Sequence, residues 1–230
     1  MNRQNIMRLF AKWHIWLGWL VGIPILMWTV TGLIMVWHPI EEVRGSHLRI
    51  ENEQALLPAS LTPPPDNGET YEAMRAAMQN GRPVWFAAHP DGRIERFAAD
   101  GTGEPLPAID EAYVRALAAE RIVGGDTPTA VEQFPAEEAP FDFRRPVPSW
   151  RVTLEDGAHI YIDAQTGEIA AVRTRFWRVF DFMWGLHIMD LQEREDTSHP
   201  VLILFAALGV FGSMLGCVLM FRRRKTKLTA

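Results

Sequence analysis

Two long uncharged apolar runs near the chain ends, and between them a polar middle whose short runs are set off by recurring Asp-Gly and Thr-Gly-Glu or Gly-Glu turns, predict an α+β membrane protein. Two transmembrane helices flank an extramembrane α+β domain built from two helix-plus-hairpin repeats, and an interfacial helix precedes the second span. A chain of 230 residues with 48% hydrophobic content could make one soluble domain, but clustering of the apolar residues at the ends leaves the middle to build its own small core.

Residues 1–12 form a short N-terminus carrying Arg3, Arg8 and Lys12, followed by the first span over 13–38. Its uncharged run is too long for a cleaved signal peptide, and Val36-Trp37-His38-Pro39 offers no small-residue cleavage site, so the segment reads as a retained span. Residues 39–68 have little periodicity and contain Thr62-Pro63-Pro64-Pro65, the pattern of an extended connector.

The domain occupies 69–174. The stretch from Glu69 to Asn80 reads as a short helix stopped at Gly81, followed by a hairpin from Val84 to Phe97 around Pro90-Asp91-Gly92 and then the turn Asp100-Gly-Thr-Gly-Glu. A helix from Ile109 to Gly125, a long proline-bearing loop, and three strands separated by Asp156-Gly157 and Thr166-Gly167-Glu168 repeat that order.

Residues 175–192 carry Phe176, Phe180, Met183, Trp184, His187 and Leu191 at helical spacing, with Arg175, Arg178 and Asp181 elsewhere on the wheel, as expected of an amphipathic helix at a membrane surface. The second span covers 199–221 and ends in a basic tail, 222–230. Basic residues lie before the first span and after the second, and acidic ones (Glu41, Glu42, Glu193 to Asp196) flank the spans on the side of the intervening chain. The positive-inside rule therefore places both termini in the cytoplasm and the domain outside, in the periplasm of a Gram-negative inner membrane.

A formal net charge of −5 argues against a nucleic-acid partner. The single cysteine, Cys217, can form no internal disulfide, and the chain has no CxxCH site for covalent haem. No nucleotide-binding glycine loop and no zinc-type ligand pair stand out. Trp13, Trp16, Trp37, Trp177 and Trp184 read first as an interfacial belt.

The segment WRVTLEDGAHIYIDAQTGEIAAV is similar to the PepSY domain, and KWHIWLGWLVGIPILMWTVTG together with FWRVFDFMWGLHIMDL and the following span resembles the PepSY-associated transmembrane family. That resemblance implies a place among proteins that include membrane siderophore-iron reductases, which carry b-type haem and reduce ferric complexes in the periplasm. Accessory proteins occur in the same family.

On this expectation the histidines near the spans are candidate iron ligands: His187, His38 and His14, with His199 as a further cofactor-binding candidate and Gly18 and Gly22 clearing room for a macrocycle. Each has a plainer reading: His14 at an interface with Gly18 and Gly22 as a helix-packing face, His38 ending a helix before Pro39, His187 bonded to Asp190 or headgroups, His199 capping the second span. Gly32 returns to the azimuth of His14, about 100° per residue being the helical step. Gly212 and Gly216 form a packing face on the second span. His47, His89 and His159 read as surface residues of the domain.

Two functions follow. The first is a haem-b electron-transfer protein, a haem-dependent ferric siderophore reductase, fed by an external donor such as quinol or a cytoplasmic reductase. Because two spans cannot wall a porphyrin, it would act as a homodimer or in a heteromeric membrane complex. The second is a non-enzymatic anchored accessory protein whose PepSY domain binds a peptidase or transporter.

Overall fold

In the computed structural model, residues 3–50, 56–64 and 66–227 are described, with the side chains of residues 4–221 among them. The predicted basic tail, residues 222–230, and the side chain of Arg3 lie outside the described residues, apart from a helical backbone that continues to Lys227.

In chain order the elements are α1 (Arg3–Val36), a single turn α2 (Ile40–Val43), β1 (Ala73–Gln79), β2 (Arg82–Ala88), β3 (Ile94–Ala98), α3 (Glu111–Arg121), β4 (Ala130–Phe134), β5 (Ser149–Thr153), β6 (His159–Asp163), β7 (Ile169–Arg173), α4 (Arg175–Ile188) and α5 (Pro200–Lys227). They divide into a helical unit, residues 1–40 with 178–230, and an α+β unit, residues 41–177.

In the helical unit, α1 and α5 are both long and apolar enough to cross a membrane, and only 11% and 17% of their apolar stretches are buried. A core helix of a soluble protein would be mostly covered, so these faces are built for lipid. α1 runs through Pro24 without a break.

α1 and α5 pack antiparallel along a glycine seam. A Cβ placed on Gly209 would meet Ile25, one on Gly212 would meet Leu17, and one on Gly216 would meet His14, so rising positions on α5 face falling positions on α1. The expected packing role of Gly212 and Gly216 is thus realised within one chain. Hydroxyls inside the spans bond back to their own helix: Thr29 to the Ile25 carbonyl at 2.8 Å and Ser213 to the Gly209 carbonyl at 2.8 Å.

The α+β unit holds two antiparallel sheets, ordered β1-β2-β3 and β4-β5-β6-β7. α3 starts where the Asp110 carboxylate accepts from the Tyr113 N–H at 2.8 Å, an N-cap, and lays Val114 and Ala118, both 0% exposed, onto Val152, Ile160 and Ile162 of the second sheet. Gly167 turns the chain from β6 to β7 with φ +71°, and a Cβ there would press on Ile109 at 2.7 Å and the Tyr113 hydroxyl at 2.8 Å, so the turn needs both the left-handed backbone and the missing side chain.

Two expectations are corrected. The stretch 69–80 is not a helix: its second half is β1, paired with β2 from Ala73↔Ala88 to Gln79↔Arg82. Asn80 and Gly81 take φ 49° and 73°, the two-residue hairpin geometry that an Asn-Gly pair favours, so the glycine closes a hairpin instead of stopping a helix. The proline-bearing loop before β5 contains β4, an edge strand paired with β5 from Ala130↔Thr153 to Phe134↔Ser149.

The predicted helix-plus-hairpin repeat therefore reads differently. What recurs is strand, strand, Asp-Gly turn, strand: β1-β2-β3 against β4-β5-β6. The chain after β3 returns as an isolated bridge, Phe97↔Pro105, where β7 follows β6.

Candidate functional site

Two of the sequence-predicted histidines are held within the helical unit by their Nδ1 atoms. His14 Nδ1 lies 3.0 Å from the Gly212 carbonyl oxygen. A carbonyl only accepts, so Nδ1 carries the proton and the lone pair is on Nε2. The ring sits in the notch left by Gly216.

His187, on α4, has Nδ1 2.9 Å from the Thr31 hydroxyl oxygen. That hydroxyl donates to the Met27 carbonyl at 2.8 Å, which leaves its oxygen to accept from Nδ1–H and again puts the lone pair on Nε2. The Trp28 indole N–H donates to the His187 carbonyl at 2.8 Å, and Gly32 brings α1 close enough that a Cβ would lie 3.7 Å from the imidazole. Thr31 is 2% exposed, so this bond is shielded from solvent.

His199 is a different case. Its backbone carbonyl accepts from Ile203 N–H at 3.2 Å as α5 begins, but its buried Nδ1 has no hydrogen-bond partner among the described residues. The side chain does not cap the helix. His38 follows the end of α1, half-buried. Gly18 and Gly22 are exposed, with nothing within 4 Å of a Cβ at either, so they do not face α5.

His14 and the Thr31–His187 pair lie at opposite ends of α1, about 26 Å apart along the axis at 1.5 Å per residue, and cannot share one iron. The plainer reading of His187 as a partner of Asp190 is replaced by Thr31. The Asp190 carboxylate instead gathers the N–H groups of Gln192, Glu193, Glu195 and Asp196 at 3.1–3.2 Å, and although desolvation opposes it, these donors hold its pKa below the ordinary carboxylate value.

The turn after α4 is fixed by a buried ion pair. Arg194 meets the 5%-exposed Asp181 at 2.5 Å, and its carbonyl accepts from the Trp184 indole at 3.1 Å. Asp181 was expected on the polar face of an interfacial helix; it is buried because Arg194 folds back to neutralise it.

In the α+β unit, Asp142 accepts from the Tyr161 hydroxyl at 2.5 Å and pairs with His159 Nδ1 at 2.9 Å, while Arg173 donates to its backbone carbonyl at 2.8 Å. Phe143, 0% exposed, stacks on Tyr161 at 4.7 Å. Burial, then the Asp142 carboxylate, push the Tyr161 phenol far above its usual pKa, so it stays a donor. Ala139 and Val147 pack with Phe143, Tyr161 and Ala171, so the cluster fastens this loop to the sheet.

The PepSY-associated TM region family matches residues 11–230, which takes in both spans and everything between them. The chain belongs to that family. No curated protein and no solved structure matches the chain.

As a member of the PepSY-associated TM family, the protein is a bacterial inner-membrane protein whose two spans flank a periplasmic α+β domain with two antiparallel sheets. Sequence reasoning took His89 and His159 as surface residues of that domain; His89 is 4% exposed and the His159 side chain 20%. Period-two alternation in HIYID could have placed His159 and Tyr161 on one face, but Asp142 lies in a loop without periodicity. The domain also carries a cleft of about 620 Å³ lined by Arg49, Asn80, Tyr113, Arg121 and Glu168.

Proposed function

We propose that this PepSY-family protein is a haem-b electron-transfer subunit of the inner membrane, a reductase component acting on ferric siderophore-like complexes in the periplasm, with both termini in the cytoplasm. One observation carries the reading: inside the helical unit, His14 and His187 each commit Nδ1–H to an oxygen and keep the Nε2 lone pair, the tautomer that axial ligation of iron requires. The Nδ1 of His199 adds a further imidazole nitrogen without a hydrogen-bond partner among the described residues.

A b-type haem, when bound, supplies one-electron transfer. The chain's own part is to orient and to shield. Thr31 fixes the His187 ring, Trp28 fixes the backbone behind it, and Gly32 admits the close approach. Two spans do not wall a macrocycle, so a second copy or a heteromeric partner completes the enclosure, and the donor, quinol or a cytoplasmic reductase, is external. His38 stays among the candidate ligands by its place after α1.

The test is optical. Protein purified in mild detergent from haem-replete cells should show a Soret band that shifts on dithionite reduction, with the haem-to-chain ratio falling in His187→Ala and His14→Ala. Colourless protein, or haem content untouched by both substitutions, would sink the reading.

The periplasmic cleft favours one other reading, an anchored accessory protein that binds a peptidase or transporter through it. Co-purification of such a partner, lost on substitution of Arg49 and Arg121 by Ala, together with colourless protein, would support that reading in place of the first.

A further inference from the structure

One buried imidazole in the α+β unit has a nitrogen that makes no hydrogen bond among the described residues. His89 follows β2 at the Asp91-Gly92 hairpin, where its N–H donates to the Arg93 carbonyl at 2.8 Å and its carbonyl accepts from Gly92 at 3.0 Å. The backbone is complete; the ring is not. Its side chain is 5% exposed and its Nε2 has no hydrogen-bond partner among the described residues.

Two carboxylates face that ring. Glu95 Oε1 is 3.5 Å from Nε2, and Glu69 Oε2 is 3.3 Å from Nδ1. One donor atom from each of Glu69, His89 and Glu95 lies within 4.8 Å of the others.

The fold brings them together for traceable reasons. Glu95 pairs with Ala87 across β2 and β3, and His89 lies two residues beyond Ala87, so the period-two alternation of strands puts both on one sheet face. Glu69 arrives from the segment before β1, which is fastened by the Glu72 N–H to the Ala88 carbonyl at 2.8 Å and by Asn67 donating to the Tyr71 hydroxyl at 2.8 Å. Tyr71 meets the His89 ring edge-on at 5.0 Å and walls its apolar side.

We propose that Glu69, His89 and Glu95 bind a divalent transition-metal cation with the ligand preferences of Zn²⁺. One imidazole nitrogen and two carboxylate oxygens are a standard donor set for such ions, at about 2.0–2.2 Å each. Donors placed tetrahedrally at those lengths stand about 3.3 Å apart, close to the 3.5 Å between Nε2 and Glu95 Oε1, while Glu69, nearer Nδ1, has to swing toward Nε2 to complete the set.

The buried imidazole is the fixed ligand. Glu69 and Glu95, 46% and 38% exposed, are free to draw in, and solvent can fill the remaining positions. Arg93 lies 3.7 Å from Glu95 Oε1 but bonds Asp91 at 2.7 Å, so a cation can take Glu95 and leave Arg93 with its better partner. This site involves none of the span histidines and stands whether or not the protein carries haem.

The full-length protein in detergent, stripped with chelator, is dialysed against micromolar Zn²⁺ with Mg²⁺ in excess. The wild type should take up about one Zn²⁺ per chain and melt at a higher temperature with it. His89→Gln should abolish that uptake, and Glu95→Gln and Glu69→Gln should each weaken it about tenfold or more, whereas His159→Gln should leave it intact. Glu95 is surface-accessible, so its substitution tests the site without threatening the fold even if His89→Gln misfolds. No saturable Zn²⁺ uptake by the wild type, or uptake unchanged in Glu95→Gln, overturns the proposal.

Discussion

Asp142 shows how much a single carboxylate can organise. Burial raises the pKa of its carboxyl, but the donors His159 and Tyr161 outweigh it, so the folded-state pKa lies below the ordinary value. A depressed carboxylate stabilises the fold at pH above the usual carboxylate range, and that contribution is lost as pH falls through the range toward the lowered value. Thermal melts of wild type and Asp142→Asn should therefore differ by about 1–3 kcal/mol at neutral pH and converge on acidification; a gap that stays constant down to the acid limit would refute this account.

Thr31 makes a second residue-scale case. On the proposed haem reading, Thr31→Val, which keeps the shape and removes the oxygen that accepts from His187, should lower haem occupancy or shift its reduction potential. Thr29→Val, whose hydroxyl reaches only the Ile25 carbonyl, is the matched control and should change neither.

At the scale of elements, turns outrank propensities. MRAAMQ has a helix former at nearly every place, yet Asn80-Gly81 makes it one arm of a hairpin, because the positive φ of both residues matches the twist of paired strands. Gly81→Ala should lower the melting temperature through that left-handed backbone even though nothing among the described residues lies within 4 Å of its Cβ, whereas Gly167→Ala adds a clash with Ile109 and Tyr113 to the same strain and should cost more. Equal effects would show that sterics at Gly167 count for nothing.

The strands β5, β6 and β7 were readable because the Asp156-Gly157 and Thr166-Gly167-Glu168 turns set off SWRVT, HIYID and IAAVR as short runs, and α3 because its helix-forming run stops at Gly124-Gly125. β4 was hidden, since five residues at a sheet edge among prolines carry too little pattern. The glycine faces were half legible. Steps of four advance about 40° past a full turn, so Gly18 and Gly22 drift roughly 40° and 80° off the face of His14, while Gly32 comes back to it. The structure follows that arithmetic: Gly32 meets an imidazole and the other two meet nothing. The partner of His187 was not legible at all, because 156 positions separate it from Thr31.

For the molecule as a whole, the two spans must be read with their charge bias. On the proposed orientation, with both termini cytoplasmic, a cysteine placed at the exposed Thr127 in a Cys217→Ser background should react with a membrane-impermeant maleimide added to intact cells with permeabilised outer membranes, and Cys217 in the wild type should not. Labelling at Thr127→Cys only after the inner membrane is broken would reverse the topology.

The bond from His14 to the Gly212 carbonyl joins residues 198 positions apart. At about 5–20 residues per second of synthesis, the first span waits roughly 10–40 s in the membrane before its acceptor exists. During biogenesis the imidazole must therefore be served by headgroups or water near the end of its helix, and only the arrival of α5 exchanges that wet partner for a dry one. The arrival of α5 is what decides when the first histidine acquires a fixed tautomer.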